Sequence, residues 1–188
     1  MKTSSYCQDS VVRSGHSPRS HERREAPMST TVSAGAADFD FEFGDWIVHH
    51  RRLDSRLTGC ETWTSFKGRC STRPILGGAG NVEDNELDLP SGLYRAAAIR
   101  SFDPTSGQWA IWWLDGRAPH ALDVPVRGRF DNGVGQFFAE DVLDGRPIRI
   151  RFIWDKRDLE SPTWAQAFSA NGGETWETNW EMRFERVA

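Results

Sequence analysis

The feature that most constrains this chain is the stretch 108–117, QWAIWWLDGR, which is its densest concentration of apolar surface. Turn-forming residues precede it at 103–107 and also occupy its own last positions, so one strand between two turns is predicted. Side chains alternate between the faces of a strand, which puts four of them together: Trp109, Ile111, Trp113 and Asp115. Because the opposite face is also apolar, both sides must be covered, by a barrel interior and by a second layer or another subunit.

Length and charge limit the classes of protein to which the chain can belong. Its 188 residues include almost no large apolar side chain before residue 38, so we predict a disordered tail, 1–37, and one folded domain, 38–188. A net charge of −4 argues against nucleic acid as a partner. No apolar run approaches the ~20 residues of a membrane span, and the first residues lack a secretory signal. We therefore expect no membrane partner and a cytoplasmic protein.

Short alternating segments separated by turns predict strands along the whole folded domain. Apolar residues alternate with acids from Phe39, and this first strand is predicted to continue to Leu53. The last strand has the cleanest alternation, with one face made of Trp176, Thr178, Trp180, Met182 and Phe184. About ten such strands, hairpin turns throughout and no convincing helix predict an all-β, antiparallel barrel or sandwich.

Several motifs spread over the folded domain carry a resemblance to a known family. They are FGDW at 43–46, PILGG at 74–78, YR at 94–95, DP at 103–104, WWLDGR at 112–117 and SANGGETWETNW at 169–180. Together they are similar to the uncharacterised bacterial family catalogued as domain of unknown function 1579. The resemblance implies a lipocalin-like barrel and brings no established reaction. Trp46, with Arg183 or Arg186, also resembles the calycin arrangement, in which a C-terminal basic side chain packs across an N-terminal Trp.

Motifs of the common cofactor-dependent and metal-dependent enzymes are missing from the sequence. There is no nucleophile elbow, no zinc-protease helix and no dinucleotide-binding loop, so we predict neither a cofactor nor a metal site. Cys60 and Cys70 lie at opposite ends of one predicted strand, too far apart to be joined by a disulfide. They are predicted to be free thiols.

The leading functional hypothesis is a binding protein, an open-ended barrel that holds a small apolar or aromatic molecule. A wall of rings with polar groups at its rim is typical of such sites. The candidate ligand contacts are Trp46, Arg52, Asn81, Trp113 and Gln166. Asp115 is a further candidate for fixing a polar group of the ligand.

Two alternatives remain open at this stage. One is a cofactor-free barrel enzyme of the isomerase, cyclase or hydratase type, with His50 or Asp115 as the base and Tyr94 or Arg52 stabilising negative charge. The other is a structural barrel whose rings are all core. In each case the doubly apolar stretch 108–115 predicts a homodimer, since no C-terminal helix is available to cover the outer face.

Overall fold

The computed structural model describes residues 35–187, and these form a closed β-barrel of ten strands. The predicted all-β, antiparallel class and the strand number are confirmed. The strands are β1 (Gly44–Leu53), β2 (Trp63–Ile75), β3 (Gly80–Leu89), β4 (Gly92–Asp103), β5 (Gln108–Asp115), β6 (Val126–Asp131), β7 (Val134–Leu143), β8 (Arg146–Asp155), β9 (Thr163–Ser169) and β10 (Glu177–Arg186). Two short 3₁₀ segments, Asp40–Glu42 and Leu76–Gly78, are added to them.

Each strand pairs with the next one along the chain, and β10 pairs with β1 to close the barrel. All the pairings are antiparallel, so the chain runs up and down around the barrel. The closure is long and regular, with seven partner pairs between Trp46 and Arg52 on β1 and their partners on β10. Closure leaves no unpaired sheet edge along this seam.

The segment before β1 differs from the sequence-based prediction. Residues Asp40–Glu42 form a 3₁₀ turn, and the strand begins only at Gly44. The alternating Phe and acidic residues belong to a segment that folds across the end of the barrel. Phe39 is fully buried there, and its ring centroid lies 5.0 Å from those of Trp109 and Phe130. Burying one such ring contributes about 2 kcal/mol, which is enough to override a weak strand pattern. We call this the closed end of the barrel.

A basic side chain from the last strand seals the same end. The guanidinium of Arg186 lies 4.0 Å from the ring centroid of Trp46 and donates hydrogen bonds to the carbonyl oxygens of Phe43 and Phe41, at 3.0 and 2.9 Å. Arg183, the other candidate, is exposed on the outer face. The contact between a C-terminal arginine and Trp46 is therefore confirmed, and Arg186 makes it.

The last strand is less regular than its sequence pattern predicts. A bulge shifts the register of β10 against β9 between Thr178 and Trp180, and a bulge moves the preceding residues to the other face. Trp176 consequently packs outside the barrel, with Arg151 4.4 Å from its ring centroid. The prediction that Trp176 shares a face with Trp180 is wrong for this reason.

Three further sequence-based predictions concern the N-terminal tail, the cysteines and membrane-spanning helices. The predicted tail, 1–37, lies outside the described residues except for Gly35, Ala36 and Ala37. The carbonyl oxygen of Gly35 accepts a hydrogen bond from the indole N–H of Trp109 at 2.9 Å. Cys60 and Cys70 are free, as predicted. No helix within residues 35–187 is long and apolar enough to cross a bilayer.

Candidate ligand-binding cavity

The barrel encloses a cavity of about 270 Å³. Its wall includes five rings from β5, β8, β9 and β10: Trp113, Phe152, Trp154, Trp164 and Trp180. Small-molecule sites in proteins occupy roughly 300–1,000 Å³ and are mostly apolar, so the volume of this cavity lies just below that range. Its size suits a molecule of one or two rings.

The rings in the wall hold one another in place. Trp180 meets Trp113 and Trp164 edge to face, with centroids 6.2 and 5.7 Å apart, and Trp164 meets Phe152 at 4.8 Å. Such edge-to-face pairs contribute about 1 kcal/mol each beyond their buried area. The wall is therefore preorganised, and a guest would not need to order it.

A buried ionic cluster forms the inner end of the cavity. Arg100 is 2% exposed, and its Nη1 lies 2.6 Å from Glu42 Oε2 and 3.0 Å from Asn81 Oδ1, while Nη2 pairs with Glu83. Burial, reinforced by the charge of Glu83, raises the pKa of Glu42 well above its usual value, although Arg100 opposes the shift. With Glu42 protonated, one carboxylate balances one guanidinium. Cys70 borders this cluster, and burial raises the pKa of its thiol, so it is not an activated nucleophile.

The outer end of the cavity is its mouth, where exposed residues join the lining. Asp115 forms a salt bridge with Arg117 at 2.6 Å, and this hydrogen bonding lowers the pKa of Asp115 to about 2. Arg117 also covers the ring of Tyr94 at 4.4 Å, and Tyr94 Oη accepts a hydrogen bond from the indole of Trp113 at 3.1 Å. Burial raises the pKa of Tyr94. These residues bind one another across the rim.

Two further arginines lie at the mouth without an ionic partner among residues 35–187. Arg52 lies between the rings of Phe66 and Trp180, at 5.6 and 5.5 Å, and Arg56 lies 5.5 Å from the ring of Phe168. Burial lowers the pKa of both guanidinium groups, and repulsion from neighbouring arginines adds to it. These two groups are held in a partly apolar setting that favours contact with an anion.

A side opening continues the mouth through the barrel wall. β6 pairs with β5 only from Trp109 to Ile111, and beyond this point β5 is contacted by the loop before Val126, whose Asp123 N–H donates a hydrogen bond to the Trp113 carbonyl oxygen at 3.1 Å. Residues of this gap line the cavity, among them Trp112, Asp123, Val124, Asp141 and Val142. Burial raises the pKa of Asp123, and the charges of Asp141 and Asp115 raise it further. The gap is thus the acidic side of the mouth.

The structure brings five of the eight predicted site residues to the cavity wall: Arg52, Tyr94, Trp113, Asp115 and Gln166. Trp46 is at the closed end beneath Arg186, and Asn81 is bound to Arg100 behind the cavity. His50 faces inward but is stacked on Phe66 at 4.6 Å and accepts a hydrogen bond from the indole of Trp180 at 3.2 Å. These three are not among the lining residues.

Sequence reasoning missed the second arginine of the mouth. Arg56 follows β1 in a loop, where periodicity gives no direction for a side chain. Its approach to the cavity depends on Phe168 of β9, a contact between residues 112 positions apart that no local pattern predicts. The only available signal was the spacing of Arg52 and Arg56 at one strand end.

Scanned against models of known protein families, the chain matches none, and no curated protein matches it in sequence. The resemblance to domain of unknown function 1579 therefore stays a prediction. The homodimer also remains a prediction.

Proposed function

We propose that the barrel binds a small apolar or aromatic molecule in its interior cavity. The observation that carries this proposal is a hollow of about 270 Å³ bounded by interlocked rings. Through the open mouth, the ring surfaces of this hollow are accessible to water, and an apolar guest that covers them gains about 25 cal/mol per Å² of apolar surface removed from water. This gain supports binding over a barrel whose rings are all core.

The proton-transfer alternative receives less support, because neither candidate base suits the role. His50 does not line the cavity, and burial, assisted by the charge of Arg52, lowers its pKa to about 3. The pKa of Asp115 is about 2 because Arg117 binds it. A general base works best with a pKa near the operating pH, so both are poor proton acceptors at neutral pH.

Isothermal titration calorimetry with 2-naphthamide, a neutral two-ring probe, tests the proposal. We expect one saturable site per chain. Ala98 lines the cavity opposite Trp113 on the neighbouring strand, and Ala98→Leu adds three carbon atoms inside the hollow. We expect this change to weaken binding about tenfold or more, since displaced packing of 1–3 kcal/mol corresponds to such a factor.

Ala97→Leu is the matched control, because Ala97 is the adjacent residue and points to the outer face, opposite Leu114. Its affinity for 2-naphthamide should stay within about twofold of the wild type. The absence of binding heat with the wild-type protein would contradict the proposal. Equal affinities of the wild type and the folded Ala98→Leu variant would place the probe outside the cavity.

A further inference from the structure

The mouth of the cavity carries two arginines whose charges are not neutralised by the residues around them. Among the ion pairs formed within residues 35–187, none includes Arg52 or Arg56. By contrast, Arg117 at the same rim is bound to Asp115 by its Nε and Nη2. Two guanidinium groups therefore face one opening with their hydrogen-bond donors uncommitted.

The carboxylates that attract these arginines are held by other donors. Asp54 accepts a hydrogen bond from Thr64 Oγ1 at 2.6 Å, and Glu177 Oε1 accepts one from the backbone N–H of Leu57 at 2.7 Å. Neither carboxylate forms a salt bridge with Arg52 or Arg56. The planar guanidinium presents a fork of N–H donors that matches a carboxylate oxygen pair, and no residue in this part of the chain fills it.

The positive and negative side chains lie on opposite sides of the mouth, so they would orient a charged ligand. Arg52 lies at the end of β1 and Arg56 in the loop that follows it. Asp123 and Asp141 lie on the opposite side, at the gap between β5 and β7. An acidic group is attracted by the first pair and repelled by the second. The body of the same molecule would then extend inward along Trp180, which already contacts Arg52 at 5.5 Å.

We infer that the cavity selects an anionic ligand, an aromatic or apolar body carrying one carboxylate, with Arg52 and Arg56 binding the carboxylate at the mouth. This inference rests on the proposed function and adds the charge class of the ligand to it. Tyr94 and Trp113, which bind each other at 3.1 Å, are not needed for the acid.

Matched calorimetric titrations with 2-naphthoate and 2-naphthamide test the inference, since the two probes share a ring body and differ in charge. We expect 2-naphthoate to bind the wild type at least about tenfold more tightly, because a charge-assisted hydrogen bond contributes that factor or more. Raising the NaCl concentration from 0.05 to 0.5 M should reduce this preference and leave 2-naphthamide unaffected, because salt screens charges at a solvent-facing mouth.

Arg52→Gln and Arg56→Gln should each reduce the preference for 2-naphthoate about tenfold. The affinity of each variant for 2-naphthamide should stay within about threefold of the wild-type value. Arg56 lies in the loop between β1 and β2, so its variant remains informative if Arg52→Gln does not fold. Arg51→Gln is the control, because Arg51 is exposed on the outer face and pairs with Glu181. It should keep the full preference.

The outcomes separate this inference from the proposed function. If both probes bind with equal affinity, the cavity accepts rings but the arginines do not select an acid, and the inference is wrong. The inference is also wrong if 2-naphthoate is preferred equally by the wild type and both mouth variants. If neither probe binds, the proposed function and the inference fail together.

Discussion

At the scale of single residues, His50 is a polar side chain buried among rings inside the barrel. It is 4% exposed, stacked on Phe66, and hydrogen-bonded to the indole of Trp180. Gly68 on the paired strand leaves room for the ring, because a Cβ there would lie 2.7 Å from His50 Nε2. A neutral imidazole satisfies this site, and a protonated one does not.

The buried imidazole should make the protein sensitive to acid. Burial lowers the pKa of His50 to about 3, against 6.5 in the unfolded chain. As the pH falls below 6.5, the unfolded state therefore binds more protons, and stability is lost until about pH 3. Between pH 7 and pH 5 the wild type should lose about 2 kcal/mol more than His50→Gln, measured by urea unfolding.

His49→Gln is the matched control, since His49 is the adjacent residue on the outer face and pairs with Glu185. This variant should retain the loss of stability caused by His50. Parallel pH profiles for the wild type and His50→Gln would show that the imidazole is not held neutral by the fold.

The sequence predicted correctly which of these side chains point into the barrel, but not how far along the barrel each one lies. Strand alternation placed Trp46, His50 and Arg52 on one face, and all three do point inward. Alternation cannot reveal how far along the barrel a side chain lies, and here only Arg52 reaches the cavity. Depth depends on Phe39 and Arg186, which fill and seal one end.

At the scale of elements, the hairpin of β6 and β7 depends on a close approach at Gly128. A Cβ at this position would lie 1.8 Å from the carbonyl oxygen of Gln136 on β7, a clash with backbone that no rotamer can relieve. β6 is also the shortest strand and makes only three pairings with β5. The pairing of β5 with β6 is therefore the shortest in the barrel, and it borders the side opening.

Gly128→Ala should lower the free energy of unfolding by about 2–3 kcal/mol, because the added methyl must push β6 away from β7. Thermal unfolding followed by circular dichroism measures the effect. Arg127→Ala, at the adjacent exposed position, should change stability by less than about 0.5 kcal/mol. A Gly128→Ala variant as stable as the wild type would mean that the two strands are not packed this closely.

The bounds of a strand were predicted well where turn-forming residues flank it. They were predicted less well where contacts with distant residues determine the local structure. The tryptophan-rich strand begins and ends where the sequence places it, at Gln108 and Asp115. The bulge of β10 was missed, since its cause lies in the pairing with β9. The 3₁₀ turn at Asp40–Glu42 was missed because its alternating pattern is the same as that of a strand.

At the scale of the whole molecule, the ionic cluster at the inner end of the cavity couples stability to pH. Glu42 is fully buried beside Arg100, and burial raises its pKa above the usual 4.5. Above pH 4.5 the folded state therefore holds a proton that the unfolded state has lost. Stability falls as the pH rises, until the folded state also releases its proton.

Glu42→Gln should flatten this dependence, because the amide cannot ionise and keeps an oxygen beside Arg100, whose Nη1 lies 2.6 Å from Glu42 Oε2. While Glu42 remains protonated in the folded state, the wild type should lose up to about 1.4 kcal/mol per pH unit relative to the variant. Urea unfolding between pH 5 and pH 9 measures it. Asp84→Asn, an exposed change next to Glu83, is the control, and identical slopes for the wild type and Glu42→Gln would show that Glu42 is ionised in the folded protein.

The closed barrel could be predicted from the sequence because strand number, turn spacing and antiparallel hairpins are local properties. The cavity could only be proposed, since a hollow depends on what fills it. Both Trp46 and Trp113 point inward from their strands, but only packing within the fold decides that Trp113 borders the cavity while Trp46 lies beneath Arg186 at the closed end.

The most direct test of the account is a crystal structure of the protein soaked with 2-naphthoate. We predict electron density for the naphthalene ring inside the barrel, between Trp113 and Trp164, with the carboxylate toward Arg52. A barrel whose interior is filled by its own indole and phenyl rings, with no space for the probe, would contradict it.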